Sequence, residues 1–222
     1  MITIEQLKEM FELQNSLNEK INPDWENAGY KWTDAIMAES VEAIDHYGWK
    51  WWKKQEPNLD QVKLELVDIF HFIISQLVQT KPIIDIDLRC ESVLHHVEIF
   101  NPNLHATLSF NDTMKKIISD SANGIFDYQT FNFFQVAMHK VGLTWDELYI
   151  QYIAKNVLNI FRQDHGYKTG TYIKIWNGVE DNEVLVKIIN HFKTTNKSFS
   201  FANVYDALEV QYIKSACILA SI

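Results

Sequence analysis

Chain breakers are scarce in this 222-residue chain, which has only 7 glycines and 4 prolines. Turn-rich all-β folds need such residues every few positions, so their scarcity favours long helices. Cysteine is scarcer still. Cys90 and Cys217 form neither a zinc spacing nor a disulfide framework, and they read as reduced, partly buried small hydrophobes. Long apolar runs are missing too: His71, Ser75, Gln76 and Gln79 break the stretch after Asp68, leaving no span of about 18 residues for a bilayer. The N-terminus opens on Thr3-Ile-Glu-Gln6, a capping-box pattern, with no basic and apolar signal segment. A cytoplasmic location is the expectation. Positive charge is in the minority, with 20 Lys+Arg against 29 Asp+Glu and a net charge of −9. That balance argues against long nucleic acid or an anionic membrane as main partner. A small nucleotide stays open, because its phosphates can meet a local cation cluster or a bound metal.

Hydrophobic residues at 47% and charged ones at 22% are ordinary globular usage. Residues 1–222 are expected to form a single all-α domain, a multi-helix bundle, with about 83–143 as a smaller, mobile helical subdomain. Ile4, Leu7, Phe11 and Leu17 recur at near-helical spacing over 3–20. A second helix is predicted over 32–47, ended by Gly48. A tryptophan-rich link, Trp49-Lys-Trp-Trp52-Lys-Lys54, leads to Pro57, and Asn58 is the expected N-cap of a third helix over 59–80 that stops before Pro82. Helices are then predicted over 84–99, 110–122 and 127–141. Thr144-Trp-Asp-Glu147 caps another that runs to about Phe161. A polar, basic and aromatic loop over 163–178, with little reason to be ordered before a ligand arrives, precedes helices near 181–193 and 202–218. No strand-rich region is predicted.

Two acidic pairs dominate the pattern, Glu39-Ser-Val-Glu42 and Glu65-Leu-Val-Asp68. Residues three apart on a helix are surface neighbours, so each pair points its carboxylates one way. A single Glu-x-x-Glu is most often a solvated face. Here Leu64, Leu66, Val67, Ile69 and Phe70 hold the second pair near the core boundary, and a short connection favours antiparallel neighbours that face pair to pair. Crowded carboxylates repel, so a cation belongs between them. Four hard oxygen donors suit Mg²⁺, with Mn²⁺ as a substitute. A carboxylate-bridged di-iron bundle is the competing metal reading, through Asp68-Ile-Phe-His71. It ranks second: none of His95, His96 and His139 has a carboxylate three residues before it.

Lys155, Asn159 and Arg162 fall at i, i+4 and i+7, one polar stripe on a helix, with Tyr167, Lys168 and Lys174 in the loop beyond. Arg offers a planar fork for phosphate oxygens and Lys a mobile point charge, so the cluster reads as a polyphosphate clamp. The plainer alternative is a solvated basic helix end stabilised by the helix dipole.

With these residues in place the chain resembles the dimeric, all-α dUTPases, relatives of the MazG-like nucleotide pyrophosphohydrolases. The resemblance runs through the Gln14 helix, Glu39/Glu42, Trp49-Lys-x-Trp52-Lys and Glu65-x-x-Asp68-Ile-x-His71-Phe72. It is densest in Lys155-Asn-Val-Leu-Asn-x-Phe-Arg-Gln-x-x-Gly-Tyr-Lys and in Trp176-Asn-Gly-x-Glu-Asp-Asn182. Residues 83–143 and those after about 195 carry none of it. The resemblance implies a homodimer that hydrolyses dUTP, and dUDP, to dUMP. It implies Glu39, Glu42, Glu65 and Asp68 as magnesium ligands, with Glu39 as candidate base. Gln14 would read uracil, with Asn18 one turn on and Trp49 or Trp52 over the base. Phe72 would pack under the deoxyribose and deny room to a 2′-hydroxyl, and His71 and Asn182 join the substrate set. From residue pattern alone, Gln14 reads as an exposed helix residue and Phe72 as core. A pyrophosphohydrolase for another nucleotide, such as dCTP, is the runner-up, and a non-catalytic helical interaction module the third reading.

Overall fold

A computed structural model describes residues 2–80, 85–196 and 199–219, without the side chains of residues 80 and 216–219. The chain packs as two compact units, Met1–Tyr149 and Ile150–Ile222. Both are helical, and the division falls inside a long helix. The all-α expectation holds.

The first unit contains α1 (Ile4–Ile21), α2 (Trp32–Tyr47), α3 (Leu59–Thr80), α4 (Ile86–Glu98), α5 (Phe110–Ala122), α6 (Tyr128–Lys140) and the start of α7 (Trp145–Asp164). Short 3₁₀ turns at Trp25–Asn27 and Pro102–His105 sit between helices. The capping box at Thr3 is made in full: Gln6 N donates to Thr3 Oγ1 at 3.2 Å and Thr3 N to Gln6 Oε1 at 2.9 Å. α2 ends where Gly48 adopts φ +96°, a backbone conformation that a side chain would strain. Asn58 caps α3 through Oδ1, which accepts from Gln61 N at 3.3 Å, and its own N–H donates to His46 O at 2.9 Å. That second bond sets the start of α3 beside the end of α2, and the two helices pack closely. Pro82, the predicted stop, lies outside the described residues.

Leu64, Leu66, Val67, Ile69, Phe70, Ile73 and Ile74 of α3 are fully buried, so this helix is the centre of the unit's core. Each such side chain contributes about 1.5–3 kcal/mol on burial. The predicted middle helices form as α4, α5 and α6. Asp127 caps α6, its Oδ1 accepting from Gln129 N and Thr130 N at 2.9 and 3.0 Å.

The second unit holds the rest of α7, a two-stranded hairpin of β1 (Ile175–Trp176) and β2 (Val179–Glu180), α8 (Asp181–Thr195) and α9 (Phe201–Leu219). The hairpin adds a short strand pair at the end of the predicted loop. Asn177 and Gly178 take φ +52° and +79°, the geometry that an Asn-Gly two-residue turn favours. Phe161 packs against Trp176, Tyr205 and Tyr212 with ring centroids 5.8, 5.2 and 5.4 Å away. Tyr172 stacks on Tyr212 at 5.5 Å. The second half of the predicted open loop is thus built into this aromatic core, with Trp176 only 2% exposed.

Candidate active site

The carboxylates meet in the first unit. One oxygen each from Glu39, Glu42 and Glu65 lies within 4.8 Å of the others, so α2 supplies two and α3 the third. Burial is graded: Glu42 is exposed, Glu39 half-buried, and Glu65 3% exposed. His46 Nε2 stands 3.4 Å from Glu65 Oε1. Asp68, one turn past Glu65, is half-buried and stands outside that 4.8 Å group. Three carboxylates so close repel one another. The donor set consists of hard carboxylate oxygens only, which fits Mg²⁺ or Mn²⁺. Among the described residues the 4.8 Å group itself holds no histidine, and His46 reaches it only at Glu65.

A second cluster in the same unit is polar and buried. His71 Nδ1 lies 2.6 Å from Gln14 Oε1, and Gln14 Nε2 donates to Asn18 Oδ1 at 2.9 Å. Asn18 Nδ2 donates to Ser75 Oγ at 3.0 Å, and Ser75 Oγ donates back to His71 O at 3.0 Å. Gln14 is 3% exposed, which overturns the pattern-based view of it as a surface residue. Ser75 was not singled out from sequence. Its position one turn past His71 was the available clue. Phe72 is half-buried, not core, and stacks on Trp32 at 6.0 Å and 25°. Trp49 and Trp52 are 48% and 58% exposed, and Trp52 packs edge-on against both Trp49 and Trp51.

In the second unit the predicted clamp residues gather on α7 and α8. Arg162 grips Asp181 with two parallel bonds, Nε to Oδ2 and Nη2 to Oδ1, both 2.8 Å. Nη2 also reaches Asn182 Oδ1 at 3.0 Å, and Nη1 donates to Asn159 Oδ1 at 3.3 Å. Lys155 Nζ donates to the same Asn182 oxygen at 2.8 Å, and the Tyr172 hydroxyl to Asp181 Oδ2 at 2.7 Å. Burial pushes the Asp181 carboxyl up, but the Arg162 bonds and charge, the Tyr172 hydroxyl and Lys155 together hold it below the ordinary range. Asp181 is fully buried and organises the cluster, a role its sequence position did not reveal. Tyr167, Lys168 and Lys174 are exposed; Lys174 pairs with Glu180, and the Arg162 guanidinium lies 5.7 Å from the Tyr167 ring.

The sequence model of the family described as dUTPase matches residues 6–167, nearly three quarters of the chain. This chain belongs to the dUTPase family. No individual curated protein matches it. The family match spans both acidic pairs, the Gln14 cluster and the α7 stripe, and it supports a dUTP diphosphatase activity. Asp181 and Asn182 fall beyond the match. So does a cavity of about 650 Å³ between α8 and α9, lined mostly by apolar residues including Trp176, Ile188, Phe192 and Val210. Its apolar walls hold none of the predicted site residues. Among the described residues no helix is long and apolar enough to cross a membrane.

Proposed function

We propose that this dUTPase-family chain is a magnesium-dependent, cytoplasmic homodimer that hydrolyses dUTP and dUDP to dUMP, limiting uracil incorporation into DNA. dUTP would release pyrophosphate and dUDP phosphate. The observation that carries the metal requirement is the convergence of Glu39, Glu42 and Glu65 within 4.8 Å. These three, with Asp68 one turn away, would hold the ion. When bound, the ion neutralises phosphate charge and acidifies a water.

The remaining work falls to side chains. Glu39, half-buried beside Glu65, is the candidate base that takes the proton of the attacking water as it reaches the β-phosphorus. Gln14, with Asn18 and His71 fixing its amide, presents the donor and acceptor pattern that uracil needs. Phe72 forms the wall against a 2′-hydroxyl, and Trp49 or Trp52 covers the base. Lys155, Asn159, Arg162 and Asn182 bind or organise the phosphate-binding set. Direct phosphate contact falls first on exposed Tyr167 and Lys168, with Lys174 exchanging Glu180 for phosphate, because Arg162 already spends Nε and Nη2 on Asp181 and Asn182.

The test is a phosphate- and pyrophosphate-release panel over dUTP, dUDP, UTP, dCTP and the other common nucleotides, with and without Mg²⁺. dUTP and dUDP should turn over only with the ion. A preference for dCTP, or turnover indifferent to Mg²⁺ and to chelator, would overturn the reading.

A further inference from the structure

We propose that Trp32 is a positioning residue for sugar selection. It fixes the plane of the Phe72 ring, and through that ring the preference for deoxyribose over ribose. This rests on the proposed role of Phe72.

A steric filter against one hydroxyl works only if its wall does not yield. Phe72 is half-buried on α3, and an aromatic χ2 has a broad torsional well, so the ring needs a backing surface. Trp32, the first residue of α2, supplies it: the two rings stack with centroids 6.0 Å apart and 25° between planes. The indole is itself held on two sides. Trp25 meets it edge-on at 6.0 Å and Tyr30 at 5.5 Å. Trp25 is 1% exposed and donates from Nε1 to Asn15 Oδ1 at 3.3 Å, next in sequence to Gln14; the Tyr30 hydroxyl accepts from Asn22 Nδ2 at 2.8 Å. The aromatic buttress is thereby tied to the helix that carries Gln14.

A second observation separates this role from mere core filling. Trp32 Nε1 is buried with no hydrogen-bond acceptor among the described residues. An orphaned buried N–H destabilises a fold, and phenylalanine would fill space without it. What tryptophan adds here is a wider face against Phe72. The same helix carries Glu39 and Glu42 further along, so the ring that backs the sugar wall and two of the carboxylates share one rigid element.

The test uses full-length protein and measures kcat and KM for dUTP and UTP in wild type, Trp32→Leu, Trp32→Phe, Phe72→Ala and the Trp32→Leu/Phe72→Ala double variant, with melting curves to confirm folding. Should Trp32→Leu not fold, Trp32→Met takes its place. Trp32→Leu should lower the dUTP-to-UTP ratio of kcat/KM about three- to tenfold, the range of a lost aromatic stack. The change should come chiefly from a lower KM for UTP. Trp32→Phe, which keeps an aromatic ring but a narrower face, should recover only part of the ratio, and in the Phe72→Ala background the Trp32 change should do nothing further. An unchanged ratio in folded Trp32→Leu overturns the inference, as does an equal drop whether or not Phe72 is present. If Phe72→Ala moves the ratio and Trp32→Leu does not, only this inference falls. If Phe72→Ala itself leaves the ratio at wild type, the sugar-wall reading falls and this inference with it.

Discussion

Replacing Asp181 should cost the second unit far more than an ordinary ion pair would. Its carboxylate is 0% exposed and accepts two bonds of 2.8 Å from Arg162 and one of 2.7 Å from Tyr172. Exposed pairs contribute about 0–1 kcal/mol. Removing one partner of a buried pair strands a charge and costs about 3–5 kcal/mol. Arg162 is 9% exposed, so Asp181→Ala leaves it with little water to compensate. The predicted loss corresponds to amide exchange about two to four orders of magnitude faster wherever exchange follows opening of the unit. Hydrogen exchange over peptides from 150–196, compared with peptides from α3, reads this directly. The double change Arg162→Met/Asp181→Leu should recover much of the loss, because an apolar pair has no charge to strand. The pH dependence has a definite sign. A carboxylate held below its ordinary value in the folded state lends stability that is present above the unfolded pKa, about 4, and is lost as pH falls through the folded one. Wild type should therefore lose protection over 150–196 below about pH 4, and Asp181→Asn should lack that acid-sensitive component. A loss under about 1 kcal/mol in Asp181→Ala, or the same acid slope in Asp181→Asn, would refute the buried-pair account.

Glu42→Gln should reduce turnover at saturating Mg²⁺ to the percent level or below. The metal-free protein should melt no lower than wild type, since one of three carboxylates within 4.8 Å loses its charge. Near-wild-type rates would remove Glu42 from the metal set. Gly166→Ala should destabilise the segment after α7 by more than about 1 kcal/mol. Gly166 has φ +86°, and an added Cβ would stand 2.0 Å from Thr171 Oγ1. Exchange over 163–173 measures the effect, and unchanged protection would show that the segment adjusts freely.

Helix positions and caps were legible in the sequence because they depend on neighbours a few residues away. Thr3 with Gln6, Gly48 and Asn58 each act within one turn, and α2 begins and ends at the predicted residues. The acidic pairs were legible for the same reason, as i,i+3 spacing alone makes their carboxylates neighbours. Even the missed hairpin had a local marker in Asn177-Gly178. Tertiary structure decided what each polar group meets. Gln14 is buried because His71, 57 residues on, reaches its amide, and no local pattern distinguishes it from a surface glutamine. Asp181 becomes the anchor of Arg162 across 19 residues, which turns an expected open fork into one already gripped. Glu65 joins Glu39 and Glu42 because α2 packs against α3 and brings a carboxylate of the second pair to the first. Local spacing sets backbone geometry through short-range sterics and hydrogen bonds. Burial, charge pairing and convergence arise only when distant helices pack.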